Sequence, residues 1–218
     1  MGAPRTEKDS NDDERPQHQV TVQPFYMGKY PVTQAQWQKI MKNNPSHFKG
    51  EQRPVENISW NNTQEFLGKL NAVVKTNGRS SLRFRLPTEA EWEYACRAGT
   101  QTAYSFGDGH DQLGDYAWFN GNSNKQTHSV GEKWPNAFGL YDMHGNVWEW
   151  CQDTYHENYT GAPVDGNAWG SSDDNKRKVL RGGAWFYDPN YCRSAFRFWY
   201  MPDVQYLTFG FRIVSSIH

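Results

Sequence analysis

No apolar run in these 218 residues approaches the roughly 20 that a membrane-spanning helix needs, so no such span is expected. The opening stretch, Met1 to Pro16, has no apolar segment of the kind a secretory signal carries; it is charged and reads as a loop. Cysteine is scarce. Cys96, Cys151 and Cys192 form an odd set at wide spacing, which fits neither a disulfide framework nor a zinc-ligand pattern. That usage points to a reducing, cytoplasmic compartment. Charge of one sign is lacking too: 23 Lys and Arg against 24 Asp and Glu leave a net charge of −1. Nucleic-acid binding through bulk charge, which needs a basic surplus, is thereby excluded. Apolar residues make up only 36% of the chain and mean hydropathy is −0.94, values that suit a disordered chain. Ten Trp, twelve Tyr and twelve Phe reverse that reading, because large aromatics bury much area per residue. The chain is expected to be globular, polar outside and rich in loops.

His18 to Tyr26 alternates β-branched and polar residues and reads as a strand. Thr33 with Gln36 forms a capping pair that starts a helix near 33–42, carrying Trp37, Ile40 and Met41 on one face. Ser59 caps a second helix near 59–75, which Asn77-Gly78 ends. Leu82 to Leu86 is a short strand. Thr88-Glu89-Ala90-Glu91 is a capping box that opens a third helix, near 88–98. From Gly99 to Gly139 no helical periodicity is present. Strand-like pieces resume at Asn146–Cys151, Lys178–Trp185, Cys192–Phe198 and Phe209–Val214. This mixture is α+β in a single domain over 1–218, with small irregular antiparallel sheets, about three helices and many loops.

Four stretches occur together in a telling order. They are Tyr26-Met27-Gly28-Lys29-Tyr30-Pro31-Val32-Thr33, Arg85 to Tyr94 (RLPTEAEWEY), Gly139 to Trp150 (GLYDMHGNVWEW), and Leu180 to Trp185 (LRGGAW) with Gly210-Phe211-Arg212. On them the whole chain resembles the formylglycine-generating enzyme (sulfatase-modifying factor) family, which implies a variant of the C-type-lectin-like fold. Family members usually begin with a strand ending in Phe-x-Met-Gly. Met1-Gly2 looks like the tail of that element, so the first strand is expected to be missing, through truncation or because the chain belongs to a longer, fused protein.

The resemblance also implies a chemistry that can be checked. Family enzymes oxidise a substrate cysteine with two active-site cysteines that hold copper, since paired soft thiolates favour Cu(I). Between Gly183 and Pro202 this chain has only Cys192, and matching Arg197 and Pro202-Asp203 to the family pattern places Cys192 outside both catalytic positions. No copper and no catalytic residues are expected. The iron-binding sulfoxide-synthase branch is no better matched, because the seven His are scattered and no His-x3-His occurs. One metal remains. The family loop matching residues 142–149 binds calcium, and the ligand positions implied here are Asp142, Gly145, Val147 and Glu149. Carboxylate and carbonyl oxygens suit that ion. The other reading of the loop is that both carboxylates only accept backbone hydrogen bonds. A second family calcium site is expected to be lost, with Trp118 where an Asn ligand belongs.

From Trp185 to Phe211 there are eleven aromatics in 27 residues, with no Lys and no Glu. Between recognisable framework positions lie Phe186, Tyr187, Asp188, Asn190, Tyr191, Phe196, Phe198, Trp199, Tyr200, Met201, Val204, Tyr206, Leu207 and Thr208, where family members are usually polar. The pattern resembles the variable proteins of diversity-generating retroelements, in which template adenines are randomised. An Asn codon altered at its adenines reaches twelve of these fourteen residues; Trp199 and Met201 need another codon. Tyr and Trp give rigid contact area at low entropic cost, as antibody paratopes do, and exposed aromatics on a rigid scaffold make a binding surface. Phe186, Tyr187, Tyr191, Phe196, Phe198, Trp199, Tyr200 and Tyr206 are expected on one surface, with Trp185, Phe209 and Phe211 beneath.

Three readings stand at this point. One is a non-catalytic module that binds an unknown protein or other macromolecular ligand through the aromatic face. Another is an oxidoreductase of the formylglycine-generating type. The third is a scaffold domain of a larger effector, fused to or associated with another domain that the aromatics dock.

Overall fold

In a computed structural model, which describes residues 1–78, 82–170 and 176–216, the first strand is β1 (Phe25–Met27). It is shorter than the alternation from His18 predicts, because Pro24 has no N–H to give a ladder and Thr21 bonds instead to the Val164 carbonyl, at 2.8 Å. Helix α1 (Gln34–Met41) follows a reciprocal cap: the Gln36 amide N–H donates to Thr33 Oγ1 at 3.3 Å and the Thr33 N–H donates to Gln36 Oε1 at 2.9 Å. The same exchange between Ser59 and Asn62 starts α2 (Trp60–Thr76). After β2 (Phe84–Arg85), Thr88 and Glu91 cap α3 (Glu89–Arg97) in the same way. Each box satisfies amide donors that a helix start otherwise leaves unpaired. One turn of helix that the sequence pattern does not reveal, α4 (Leu113–Tyr116), is held by burial of Leu113 among Ala103, Tyr104, Ala117 and Cys192.

The remaining strands are β3 (Trp148–Thr154), β4 (Lys178–Arg181), β5 (Phe198–Tyr200), β6 (Phe209–Gly210) and β7 (Val214–Ser216). They form a three-stranded sheet in the order β1-β7-β2 and a four-stranded sheet in the order β5-β4-β3-β6. Pairing is antiparallel except between β3 and β6, a parallel pair that the purely antiparallel expectation misses. Other expected strands are also shorter, and that over Phe209–Val214 is split between β6 and β7. β4 stops at Arg181 because Gly182 and Gly183 turn the chain with φ of +100° and +75°. The expected strand from Cys192 begins only at Phe198, since Pro189–Cys192 is a 3₁₀ turn and Arg193 and Arg197 are drawn inward into buried ion pairs.

β3 is buried on both faces, and its alternation separates two cores. Trp148 and Trp150 point into the larger one, with Trp37, Phe66, Leu180, Phe209 and Phe211. Cys151 points into the second, with Trp92, Ala95, Cys96, Met143 and Val179. The four-stranded sheet is thus the wall between α1 and α2 on one side and α3 on the other. Among the described residues no helix is long and apolar enough to cross a membrane.

Candidate ligand-binding face

β5 is an edge strand, and its three residues are all aromatic. Register decides where they go. Phe198 lies opposite Leu180 and Tyr200 opposite Lys178, so both rings stand on the side of the larger core. Phe198 stacks on Trp148 at 5.0 Å between centroids, and Tyr200 packs against Phe209 at 5.4 Å. Trp199 lies opposite Val179 and points to the other side, where the Arg177 guanidinium sits 4.3 Å from its ring and Tyr155 is 5.8 Å away. Trp199 therefore does not share a surface with Phe198 and Tyr200, because neighbouring strand residues face opposite ways.

Rings from outside β5 extend the row. Tyr187 approaches Phe198 at 6.1 Å, Tyr191 at 5.2 Å and Trp148 at 5.3 Å. Tyr206 packs on Tyr200 at 5.1 Å, with their hydroxyls 3.1 Å apart. Phe186 is 59% exposed and Tyr206 47%, while Tyr187, Tyr191, Phe198 and Tyr200 are half-buried against the core. Beneath them Trp185, Phe209 and Phe211 are buried. Trp185 is fastened at both ends: its indole N–H donates to the Leu207 carbonyl at 3.1 Å and its ring meets Phe48 edge-on at 5.3 Å.

Two further expected surface residues are not at the surface. Phe196 is only 6% exposed, enclosed by Tyr191 at 4.9 Å, Trp148 at 5.8 Å and the Arg193 guanidinium at 5.7 Å. Thr208 is buried where its carbonyl accepts the Trp148 N–H at 2.7 Å, a bond that joins β6 to β3. Asp188 and Met201 are exposed, and Asn190, Val204 and Leu207 are partly so. Phe48 and Asn120 adjoin the face without any mark in the sequence. Asn120 donates from its backbone to the Tyr187 carbonyl at 3.0 Å and from its side chain to Asp188 Oδ1 at 3.1 Å. Only the folded loops bring them there.

Buried ion pairs make the base rigid. Arg181 reaches Glu89 at 2.8 Å and Glu93 at 2.7 Å; Arg197 reaches Glu89 at 2.7 Å; Arg193 joins Glu7 at 2.6 Å and Glu14 at 2.5 Å. Burial alone would raise the Glu93 carboxyl, but Arg97 and Arg181 hold it down at about 2. Removing one partner of such a pair strands a buried charge and costs about 3–5 kcal/mol.

The three cysteines are buried and unbonded. Burial pushes the Cys96 thiol up to about 12 and raises Cys151 and Cys192 as well. Cys192 is packed so tightly that a Cβ on Gly183 would fall 2.6 Å from its sulfur. A thiol so placed is a poor nucleophile and a poor soft-metal ligand. His144, beside Cys96, is pushed down to about 4 by burial and is a neutral hydrogen-bonding group, with Nδ1 2.7 Å from the Cys192 carbonyl.

The loop from Asp142 to Glu149 is close-wound: Gly145 has φ +86°, and a Cβ there would collide with the Trp118 carbonyl oxygen. Asp142 accepts the Gly131 N–H at 2.9 Å and the Asn146 side-chain amide at 3.3 Å, and burial pushes its carboxyl up to about 6. Glu149 is committed: it accepts the Trp92 indole N–H at 2.7 Å and pairs with Arg212 at 2.8 Å. Among the described residues no three His, Cys, Asp or Glu side chains cluster to hold a metal. Any calcium here would rest on Asp142 and on loop carbonyls, with Glu149 sharing its charge with Arg212. Around Trp118, the Lys133 ammonium lies 4.0 Å from the indole ring and His128 stacks on it at 3.7 Å.

The chain is similar to several known proteins. The chain is 32% identical to the chaperone protein LppX of Paenibacillus barcinonensis, over 87% of this chain and 78% of that one. It is 33% identical to the formylglycine-generating enzyme of Streptomyces coelicolor over 75% of its own length, spanning 52% of that enzyme. Among solved structures, Treponema denticola variable protein 1 superposes with a TM-score of 0.86 at 32% identity, covering all of this chain and 94% of the other. PvdO from Pseudomonas aeruginosa superposes at 0.89 with 30% identity, covering all of this chain and 90% of that one. The model of the sulfatase-modifying factor enzyme 1-like domain matches residues 1–217, and the chain belongs to that family, with its C-type-lectin-like fold.

Proposed function

We propose that the protein is a non-catalytic binding module that presents the ring row from Phe186 to Tyr206 to a macromolecular ligand. The observation that carries this is the construction of the row: half-exposed rings resting on the buried Trp148, Trp185 and Phe209. A rigid floor of that kind tolerates change above it. The likeness to a variable protein at a TM-score of 0.86 supports diversification of the upper positions. The test is sequencing the gene across many isolates of one strain, together with its genomic neighbourhood. Substitutions confined to the exposed positions, with a reverse-transcriptase gene and a near-copy of codons 185–211 nearby, are expected. An invariant segment with neither neighbour would remove diversification.

The oxidoreductase reading draws on the relation to formylglycine-generating enzymes. Against it stand three buried thiols, all with raised pKa, and a lone Cys192 in the segment where the family's pair belongs. A copper titration monitored by thiolate absorption checks it directly; a tight Cu(I) site would restore the reading. The scaffold reading draws on the relatives' length, since the chain spans 36% of the serine/threonine-protein kinase pkn1 of Chlamydia caviae, at 29% identity. In that case the ring row would meet a domain of the same polypeptide. Calcium is the ion proposed for the loop, held by Asp142 and the Gly145 and Val147 carbonyls, with Glu149 as the shared fourth ligand. Its chemistry would be structural. The unbonded thiols support a reducing, cytoplasmic setting.

A further inference from the structure

The formal charges that segment 185–211 shows to solvent have one sign. Its four charged residues are Asp188, Arg193, Arg197 and Asp203. Arg193 and Arg197 are buried, paired with Glu7, Glu14 and Glu89 below the face. Asp188 and Asp203 are exposed. In the chain Asp188 follows Tyr187, and Asp203 lies in the Met201–Val204 turn, three residues before Tyr206. From Tyr187 to Tyr206 run three ring-to-ring steps, Tyr187–Phe198, Phe198–Tyr200 and Tyr200–Tyr206, at 6.1, 6.1 and 5.1 Å. The framework cation opposite Tyr200, Lys178, is buried with its ammonium 4.5 Å from the Trp60 ring, and the exposed Lys49 and Lys125 lie by the Trp185 end, next to Phe48 and near Ser123.

Aromatic faces carry negative quadrupole density, so a row of Tyr and Phe rings attracts cations and repels anions. The segment's two exposed acids act in the same direction, and no exposed cation of the segment offsets them. Resting on the binding role proposed above, we infer that the face is complementary to a cationic protein segment, an extended stretch carrying Arg or Lys among apolar residues. The partner's guanidinium or ammonium groups would lie over the rings or reach Asp188 and Asp203. Phosphate-rich and acidic partners are disfavoured by the same charges, as complementary potential selects among partners and speeds encounter.

The test is selection of a displayed library of random 12-residue peptides on the full chain at about 50 mM salt, with a random single-stranded DNA pool in parallel. Recovered peptides are expected to be rich in Arg and Lys beside apolar residues. Their affinity is expected to fall about tenfold in the D188N/D203N double variant, whose fold a melting curve verifies, and to weaken between 50 and 500 mM salt as exposed charges are screened. Binding is expected to be lost in Y200A/Y206A. Peptides that need Tyr200 and Tyr206 but are neutral or acidic, or keep full affinity in D188N/D203N, would overturn the charge inference and leave the binding face standing. Recovery of DNA through the same two tyrosines would overturn it as well. If no peptide or DNA depends on Tyr200 and Tyr206, the binding face itself fails.

Discussion

Trp199 and Tyr200 are consecutive in β5 yet stand on opposite sides of the four-stranded sheet, Tyr200 against Phe209 at 5.4 Å and Trp199 under the Arg177 guanidinium at 4.3 Å. Substituting each alone therefore separates the two surfaces. Tyr206→Ala and Tyr200→Ala should abolish binding at the ring row, and the more exposed Tyr206 should cost only about 0.5 kcal/mol of stability. Trp199→Ala should leave that binding intact and lower the melting temperature through loss of its contacts with Arg177 and Tyr155. Binding lost in Trp199→Ala with Tyr200→Ala indifferent would reverse the assignment.

Phe196 should behave as core. Its ring is closed in by Trp148, Tyr191 and Arg193. Truncation to Ala is expected to cost about 3–5 kcal/mol, the usual scale for a buried Phe. Urea unfolding of Phe196→Ala measures it. A loss below about 1 kcal/mol would mean the ring is at the surface after all.

Acidity should change stability in two opposed windows. Glu56 is fully buried, and burial pushes its carboxyl from 4.5 up to about 7; Oε1 accepts the Phe48 N–H at 2.8 Å and Oε2 has no partner. Its folded pKa exceeds the unfolded one, so its contribution is fully present below about 4.5 and is lost as pH rises through about 7. Glu93 runs the other way: its stabilisation is present above 4.5 and is lost as pH falls toward 2. Stability should therefore peak between these windows, and Glu56→Gln should flatten the alkaline limb by on the order of 1–3 kcal/mol. Melting curves from pH 3 to 9, with and without the substitution, decide it. An unchanged alkaline limb in Glu56→Gln would show that Glu56 is ionised without cost.

Calcium, if the loop takes it, binds the native state and must raise the melting temperature in proportion to the logarithm of its concentration. Asp142→Asn should remove that dependence. A melting temperature indifferent to calcium and to chelator would leave Asp142 and Glu149 as hydrogen-bond acceptors only, as their contacts with Gly131, Asn146, Trp92 and Arg212 already allow.

Local chemistry made part of this molecule legible in one dimension. Thr33, Ser59 and Thr88 start their helices as read, because a capping box needs only residues three apart; the Thr33–Gln36 and Thr88–Glu91 pairs form as read, and Ser59 finds its partner in Asn62. The motifs around Thr88, Asn146 and Gly182 were enough to identify the family, and the density of aromatics from Trp185 to Phe211 marked the segment that became the ring row.

What the sequence could not decide was which side each residue faces. Phe196 and Phe198 look alike in the sequence, but Phe196 lies in a turn closed over by Arg193, while Phe198 enters β5. The parallel pairing of β3 with β6, the arrival of Phe48 and Asn120 at the face, and the burial of Arg193 and Arg197 all depend on contacts between residues far apart in the chain. Side-chain direction in a two-residue period inverts with a shift of one position, and only tertiary pairing sets that register. The sequence by itself thus determined the family, the helix starts and the aromatic segment; the tertiary structure decided which rings meet solvent.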